Sequence, residues 1–577
     1  MKDGFLKAAA AAPKIRVADP AWNALEICKA LDSCYAQRAK LIVLPELCLT
    51  GYTCQDLFLQ ERLLEESLEG LQTVLEHTKG HDALTFVGLP FEKDGKLYNV
   101  AAAVQDGRIL GLVPKQNIPN YGEFYEVRHF AAGSREVSEV DVLGQTVPFG
   151  GNLLFSCRNL KGLVVGCELC EDVWVMDPPS TALAKAGATV IVNLSASNET
   201  VGKDTYRKSL IAATSARLLC GYVYASAGDG ESTQDLVFSG HHMIAENGSV
   251  LAEAARFENE TIFSELDIHK ICHERRRMST FVPENTETCV RIGFALEKEE
   301  TKLTRTFAQM PFVPSDETLK KERCEQILSI QAQGLKKRYE HTGAKTAVIG
   351  VSGGLDSTLA LLVTARAFDL LGKDRNDILA VTMPCFGTTN RTYENACRLA
   401  QTLGAKLIEV NIREAVQVHF RDIGQDMDKH DVTYENGQAR ERTQVLMDLA
   451  NQSNGLVIGT GDMSELALGW ATYNGDHMSM YGVNVGVPKT LVRHLVAYCA
   501  NTCSESEKVL QEVLLDVLDT PVSPELLPPE DGKISQKTED LVGPYELHDF
   551  FLYQLLRCGF GPAKIYRLAC RKRSASG

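Results

Sequence analysis

The chain has 577 residues, of which 44% are hydrophobic and 23% charged, and its formal net charge is −15. This composition is typical of a globular protein of two or three domains and excludes a disordered or fibrous chain. The acidic balance disfavours a nucleic-acid or membrane-surface partner, although a local loop can still bind a phosphate-bearing small molecule. No apolar stretch reaches about 18 residues, so we expect no membrane span.

Cysteine usage indicates the redox environment. The 17 cysteines are scattered and odd in number, and they do not form the framework of a secreted domain. The N-terminal apolar run is short and ends at Pro13, which disfavours a signal peptide. We therefore expect free thiols, a reducing compartment and a cytoplasmic location.

The first half of the chain alternates apolar runs with amphipathic stretches, which predicts an α/β domain over residues 1–293. The predicted helices span residues 21–38, 58–77 and 205–219. Residues 99–105 and 108–113 are expected to pair as a hairpin, so the sheets are expected to be mixed. The predicted strands cover residues 40–47, 84–90, 99–105, 163–169, 189–195 and 220–227.

A charged segment with two prolines, residues 294–321, is predicted to be a linker. The second domain, residues 322–577, begins with a predicted helix over 318–341 that overlaps the linker's end. Strands are predicted at 345–352, 377–384, 406–412 and 455–461, each followed by a helical stretch. This alternation predicts a doubly wound parallel sheet.

The strongest local pattern in the second half is VIGVSGGLDSTLAL, residues 348–361. An apolar strand runs into two adjacent glycines, which let the backbone approach an anion closely, and then into a helix. Ser357 and Thr358 lie where that helix begins, and the free N–H groups there favour phosphate. No lysine follows the glycines, so this is not the phosphate loop of kinase-type NTPases. A plain strand–turn–helix joint is the alternative.

A second loop follows the predicted strand at 455–461, at the end of a parallel strand where ligands bind in such folds. Thr460 could offer a polar contact to a nucleotide, and Glu465 a carboxylate to a metal ion. The alternative for Glu465 is a solvated helix residue.

The motif SGGLDS resembles the pyrophosphate loop of the N-type ATP pyrophosphatases, which adenylate a carboxyl group and release pyrophosphate. The resemblance implies that Asp356, together with Glu465, binds Mg²⁺, the kind of hard cation that neutralises a polyphosphate. The predicted ATP-binding residues are Gly350, Val351, Ser352, Gly353, Gly354, Leu355, Asp356, Ser357 and Thr460.

Three longer stretches, residues 381–405, 430–451 and 459–490, resemble the NAD synthetases. In that family the adenylated acid is nicotinic acid adenine dinucleotide (deamido-NAD), whose carboxylate becomes the amide of NAD. The resemblance implies a deamido-NAD site at Asn436, Glu465, Trp470, Asp476 and Lys489. The alternative for Lys489 is an exposed lysine without a role in binding.

In the first half, Glu46, Lys115 and Cys170 each lie just past a predicted strand. A cysteine nucleophile needs a base to form the thiolate and a cation to stabilise the oxyanion, and these residue types supply both. Taken singly, Cys170 is more typical of core packing. Cys167 and Cys170 could also form a redox pair or half a zinc site, but no second CxxC or HxxxH accompanies them.

The segments PELCLTGY, PKQNIPNYGEFYEVRHF and CELCEDVW resemble the nitrilase superfamily, with its Glu–Lys–Cys triad, and in particular the glutaminase domain of glutamine-dependent NAD synthetases. The resemblance implies an α-β-β-α sandwich in which Cys170 is the nucleophile and Glu126 orients Lys115 or the substrate amine. The implied glutamine-binding residues are Tyr121, Glu126, Ser197 and Lys203. The family commonly has arginine at the position of Lys203, and lysine lacks its planar fork.

These motifs together predict a ligase of NAD biosynthesis that uses ATP and glutamine, with Mg²⁺ as cofactor. A homo-oligomer is expected by family resemblance. Similar chains usually continue beyond the segment at 550–570, so we expect a shortened C-terminal tail. Three alternatives stay open: an amidotransferase acting on another acid, a stand-alone amidase or glutaminase with an impaired synthetase domain, and a non-enzymatic dinucleotide-binding protein.

Overall fold

The computed structural model describes residues 1–284, 288–314, 316–521, 523, 526–528 and 538–574. The chain divides into two compact units, Met1–Thr306 and Phe307–Gly577. The division falls inside the segment predicted as the linker. None of the helices in the described ranges combines the length and the apolar character that a membrane span requires.

The first unit is built mainly of strands. Its helices are α1 (Pro20–Ala36), α2 (Glu61–Thr78), α3 (Pro179–Lys185), α4 (Lys203–Arg217) and α5 (Ile268–Arg277). Its strands are β1 (Phe5–Ala10), β2 (Leu41–Val43), β3 (Leu84–Lys93), β4 (Lys96–Gln105), β5 (Arg108–Pro114), β6 (Ser138–Val142), β7 (Gln145–Phe149), β8 (Leu153–Cys157), β9 (Val164–Leu169), β10 (Val190–Ser195), β11 (Gly221–Ser226), β12 (Met243–Glu246), β13 (Ser249–Glu253), β14 (Ile262–Asp267) and β15 (Val290–Phe294).

Within the described residues these strands form two sheets, with orders β14-β1-β2-β3-β4-β5-β7-β6 and β13-β12-β11-β10-β9-β8-β15. An apolar layer joins the sheets, and Phe86 and Phe155 meet there edge to face with ring centroids 5.5 Å apart. Helices α1 and α2 cover the outer face of the first sheet, and α3 and α4 cover that of the second. The predicted α-β-β-α sandwich is thereby confirmed, and β4 and β5 pair antiparallel as expected.

The strand expected over residues 40–47 is shorter than predicted, because β2 ends at Val43. Pro45 has no N–H to donate to a ladder, and Leu47 has a φ of 51°, so the chain turns away from the sheet here. This turn carries Glu46. Strands such as β6 and β13 were not predicted, because they are short, lie at or near sheet edges and expose polar side chains.

The second unit has strands β16 (Thr346–Gly350), β17 (Ile378–Thr382), β18 (Lys406–Glu409), β19 (Gly455–Gly459) and β20 (Tyr481–Gly482). Its helices are α6 (Glu317–Thr342), α7 (Leu355–Leu371), α8 (Asn390–Thr402), α9 (Arg413–Ile423), α10 (Val432–Gln452), α11 (Met463–Leu468), α12 (Lys489–Asn501), α13 (Lys508–Asp519), α14 (Thr538–Val542), α15 (Tyr545–Leu556) and α16 (Pro562–Ser574).

These strands form a parallel sheet of order β18-β17-β16-β19-β20, with apolar cores on both faces. Ile349 packs into the core that includes α7 and α12, and its neighbour Val348 into the core that includes α9 and α10. The doubly wound parallel sheet is thereby confirmed. The chain runs outward from β16 to β17 on one side and returns to β19 on the other. The end of β16 is therefore the topological switch point, where such folds bind ligands.

Two candidate active sites

A buried cation organises the site of the first unit. Lys115, directly after β5, is completely buried, and its Nζ donates to Glu46 Oε1 at 2.7 Å and to the two carboxylate oxygens of Glu126 at 2.7 and 2.8 Å. Burial alone would lower the pKa of Lys115, but the carboxylates of Glu126 and Glu46 raise it well above its usual value. Lys115 is therefore held as an ammonium ion.

The two carboxylate oxygens of Glu46 differ in their hydrogen bonds. Asn99 Nδ2 donates to Oε1 at 2.6 Å, beside the bond from Lys115. Oε2 is buried and accepts no hydrogen bond from the described residues. One oxygen is thus fixed in place while the other can receive a proton.

Cys170 lies in a strained turn beside these two residues. It begins a 3-10 turn, Cys170–Val173, directly after β9, and its φ is 41°, a conformation that side-chain-bearing residues rarely adopt. Burial and the charge of Glu46 raise the pKa of its thiol, whereas Lys115 lowers it. The thiol is therefore protonated at rest and needs a base to become a nucleophile. Cys167, in contrast, packs in the apolar layer between the sheets.

Asp172, which sequence reasoning missed, ties the turn of Cys170 to the loop that follows Lys115. Its buried carboxylate accepts from Leu169 N at 3.0 Å and from Asn117 N and Nδ2, each at 2.8 Å. Its position two residues after the cysteine was the only signal available in the sequence, because Asn117 lies 55 residues away.

The predicted glutamine-binding residues lie around this centre. Tyr121 is exposed, and its hydroxyl donates to Glu171 Oε1 at 2.8 Å. Lys203 begins α4, donates to Asn198 Oδ1, and its Nζ lies 5.6 Å from the ring centroids of both Phe124 and Trp174. Burial lowers the pKa of Lys203, and the charge of the Cys170 thiolate would raise it.

Ser197, also predicted to bind glutamine, is buried and supported from two sides. Arg207, completely buried one helical turn after Lys203, donates to Ser197 Oγ at 3.4 Å and to Asn198 O at 3.0 Å. Ser197 N donates to Ser226 Oγ at 3.3 Å, and Ser226 N donates to His242 Nδ1 at 3.0 Å. Burial and the neighbouring His241 lower the pKa of His242 to about 3, so this imidazole is neutral.

In the second unit, the SGGLDS segment forms a tight loop at the end of β16. Gly353 has a φ of 81°, and a Cβ added there would lie 2.1 Å from Thr392 O, so only glycine fits. Gly354 N donates to Ser352 Oγ at 3.2 Å. Helix α7 begins at Leu355, and no side chain caps its first turn. Its N-terminal N–H groups are therefore available to an anion.

Three carboxylates converge on one buried lysine beside this loop. Lys489 Nζ lies 2.7 Å from Asp356 Oδ2, 2.6 Å from Asp462 Oδ2 and 2.7 Å from Glu465 Oε1. Burial alone would lower the pKa of Lys489, but the three carboxylates raise it well above its usual value. Burial raises the pKa of Asp462 and of Glu465, and the proximity of the other carboxylates raises both further. The cluster holds more negative charge than one ammonium neutralises.

The donor set of this cluster fits a hard divalent cation. One oxygen from each of Asp356, Asp462 and Glu465 lies within 4.8 Å of the others. Asp356 Oδ1 is buried and accepts no hydrogen bond from the described residues. Carboxylate oxygens are the ligands that Mg²⁺ prefers. Sequence reasoning missed Asp462, whose side chain also accepts from Glu465 N and so caps α11.

Asn484, which sequence reasoning missed, joins the loop after β16 to the loop after β19, because its Nδ2 donates to Asp356 O and to Thr460 O, both at 3.0 Å.

The remaining predicted residues of the second unit lie on several elements. Asn436 lies on α10, and Trp470 directly follows the glycine that ends α11. Asp476 is exposed in the loop before β20. The roles assigned to these last three residues stay predictions.

Comparisons with known proteins agree with this division. The family model for carbon-nitrogen hydrolase matches residues 7–275, and that for NAD synthase matches residues 327–556. The chain thus combines a carbon-nitrogen hydrolase unit with an NAD synthase unit.

Curated relatives carry both units. The chain is 42% identical to the glutamine-dependent NAD(+) synthetase of Mycobacterium tuberculosis, over 98% of this chain and 85% of the relative, and 29% identical to that of Aquifex aeolicus, over 96% and 89%. A solved glutamine-dependent NAD+ synthetase from Acinetobacter baumannii, in complex with ADP, is 24% identical over 98% of this chain and 90% of that one, with a TM-score of 0.39. The chain belongs to the family of glutamine-dependent NAD(+) synthetases.

Replacing Lys489 with methionine is expected to destabilise the second unit by about 3 kcal/mol, because it leaves the buried carboxylate of Asp462 and the half-buried carboxylates of Asp356 and Glu465 without their cation. Adding Mg²⁺ is expected to raise the melting temperature of the variant more than that of wild type. Thermal unfolding with and without MgCl₂ measures both effects. Equal stability of the two proteins would contradict the electrostatic account of the cluster.

Acid is expected to weaken the first unit through His242. Because the folded pKa of about 3 lies below the unfolded value of 6.5, the unfolded state binds the proton first, and stability falls as the pH falls below 6.5. About 2 kcal/mol is lost by about pH 5. In His242→Asn, whose amide oxygen can accept from Ser226 N without titrating, denaturant unfolding should show a shallower pH dependence. Identical slopes would contradict the assignment.

Proposed function

We propose that this chain catalyses the ATP- and glutamine-dependent amidation of deamido-NAD to NAD, giving AMP, pyrophosphate and glutamate. The observation that supports the proposal is the presence, on one chain of this family, of two clusters of the side chains that such a reaction needs. One is a cysteine with a base and a buried cation, and the other is an anion-binding loop beside a carboxylate cluster.

In the first half-reaction, the free oxygen Oε2 of Glu46 removes the proton of Cys170. The thiolate attacks the side-chain amide of glutamine, and the oxyanion that develops is stabilised by the ammonium of Lys115. Glu46 gives the proton taken from Cys170 to the nitrogen that leaves as ammonia, and the regenerated carboxylate then activates the water that hydrolyses the thioester to glutamate. Glu126 holds Lys115 through two hydrogen bonds, so the cation is already oriented before charge develops.

Glutamine would be held by its polar ends. The ammonium of Lys203 is the group best suited to the α-carboxylate, because burial between two aromatic rings strengthens its field. Ser197 and Tyr121 supply hydroxyls that can donate to or accept from the substrate. A single lysine gives a less directional contact than the arginine common in the family.

In the second half-reaction, ATP adenylates the carboxylate of deamido-NAD, and ammonia then displaces AMP. The backbone N–H groups of the loop at 352–358 would bind the departing pyrophosphate, together with the hydroxyls of Ser352 and Ser357. Mg²⁺, held by Asp356 and Glu465 with Asp462 beside them, would supply charge neutralisation of the polyphosphate when bound. Lys489 lies among the same carboxylates and could contact the dinucleotide carboxylate as it reacts.

Two further features complete the proposal. The reducing environment inferred from the cysteines supports a cytoplasmic enzyme. The family resemblance supports a homo-oligomer. A stand-alone amidase with an impaired synthetase unit is not favoured, because the carboxylate cluster and the glycine loop are both intact.

Replacing Cys170 with alanine is expected to abolish NAD formation with glutamine and to leave it unchanged with high ammonium, because only the first half-reaction uses the thiol. NAD formation from deamido-NAD, ATP and Mg²⁺ with each nitrogen source measures this. As a control, Cys167→Ala should keep glutamine-driven activity, because Cys167 packs in the apolar layer between the sheets. A wild type that hydrolyses glutamine but makes no NAD from either nitrogen source would favour the amidase alternative.

A further inference from the structure

A buried carboxylate that the proposed mechanism does not use lies behind Cys170. Glu168, Asn193 and Tyr222 are all completely buried, on the neighbouring strands β9, β10 and β11. Glu168 and Asn193 are direct cross-strand partners, and Tyr222 belongs to the core beneath α3 and α4. Burying an ionised carboxylate in such surroundings costs free energy unless hydrogen bonds satisfy it.

The hydrogen bonds of these residues form a chain. When Glu168 is ionised, the donors and acceptors along this chain can be assigned in only one way. A carboxylate only accepts, and Glu168 accepts from Ser180 N at 2.8 Å and from the hydroxyl of Tyr222 at 2.5 Å. The hydroxyl has a single hydrogen, so its oxygen must accept from Asn193 Nδ2, 3.1 Å away.

This direction fixes the side-chain amide of Asn193. With Nδ2 turned toward Tyr222, the carbonyl oxygen Oδ1 faces Cys170 N and accepts its hydrogen bond at 3.1 Å. If the amide were flipped, Asn193 Nδ2 and Cys170 N, which are both donors, would face each other with no acceptor between them. The bond therefore stabilises the strained turn, with its φ of 41°, that presents the thiol to Glu46 and Lys115.

We propose that Glu168, Tyr222 and Asn193 are positioning residues for the glutaminase step, in which the buried carboxylate sets the direction of the hydrogen bonds and so holds the Cys170 turn in its reactive conformation. This inference rests on the proposed function, because it assigns the residues to the thiol that attacks glutamine. Burial raises the pKa of Glu168 to about 7, so assays at about pH 8 keep the carboxylate mostly ionised.

Glu168→Gln tests the direction of the chain without changing its shape. The introduced glutamine satisfies Ser180 N with its carbonyl and donates to the Tyr222 oxygen with its amide. The hydroxyl hydrogen then points to Asn193, whose amide flips and turns a donor toward Cys170 N. We expect the kcat of glutamine-driven synthesis to fall about tenfold or more with little change in the KM for glutamine, because a small misplacement of a reacting group costs up to about 10²-fold. Ammonium-driven synthesis should not change.

Asn193→Asp supplies the rescue. As a single substitution it places two carboxylates beside the one hydrogen of the Tyr222 hydroxyl, so one of them loses its hydrogen bond. We expect a similar fall in the kcat of glutamine-driven synthesis. Combined with Glu168→Gln, the introduced aspartate accepts from the Tyr222 hydroxyl with one oxygen and from Cys170 N with the other. The hydrogen bonds between the three side chains are then all made in the reversed direction, and Cys170 N keeps its acceptor, so the double variant should be faster than either single variant. A role in packing alone predicts that the two losses add.

Ammonium-driven synthesis by the same samples shows that the second unit of each variant is folded, and thermal unfolding shows whether the first unit is folded too. Glu274→Gln, the same exchange at a buried carboxylate on α5 that pairs with Arg277, is the matched control and should keep glutamine-driven activity. If Glu168→Gln does not fold, Tyr222→Phe carries the test, and it should slow glutamine-driven synthesis selectively.

Any one of three results would overturn the inference. These are a wild-type glutamine-driven rate in Glu168→Gln, a double variant no faster than the single ones, and an unchanged ratio of the two activities in Tyr222→Phe. If the wild type itself makes no NAD with glutamine while Cys170→Ala behaves identically, the proposed function fails instead.

Discussion

The ammonium of Lys115, completely buried between two carboxylates, is the interaction on which the first site depends. Placing a charge in the interior is costly unless its hydrogen bonds are satisfied, and Glu46 and Glu126 together supply three. The three residues come from the ends of β2 and β5 and from the loop that follows. Strands β2 and β5 must therefore take their places in the first sheet before the cation is neutralised, so the contacts that position Glu46 and Lys115 also stabilise the native fold.

The second unit also surrounds a buried ammonium with carboxylates, but with a larger excess of negative charge. Lys489 is also a buried ammonium, but it faces three carboxylates rather than two. The excess negative charge would suit the proposed divalent cation, which in turn would neutralise a polyphosphate, whereas the proposed thiol chemistry of the first site needs no metal ion. The positions follow from topology, because the loops after β16 and β19 meet at the switch point of the parallel sheet.

Much of this could be predicted from the sequence, because buried strands appear as apolar runs and reactive side chains follow their ends. That reasoning reached Glu46, Lys115 and Cys170 and the loop at 352–358. It missed Asp462 and the partnership of Glu168 with Tyr222, since such polar contacts join segments that are separated in the chain. It also missed strands such as β6, whose exposed polar side chains resemble those of a loop.

The central claim is that two buried lysine–carboxylate centres divide one reaction between them. The most direct test compares Lys115→Met with Asp356→Asn in NAD formation from deamido-NAD, with glutamine and with high ammonium as alternative nitrogen sources. The account predicts that Lys115→Met loses only the glutamine-driven reaction, whereas Asp356→Asn loses both and still hydrolyses glutamine. Loss of ammonium-driven synthesis in a folded Lys115→Met protein, or its persistence in Asp356→Asn, would contradict the account.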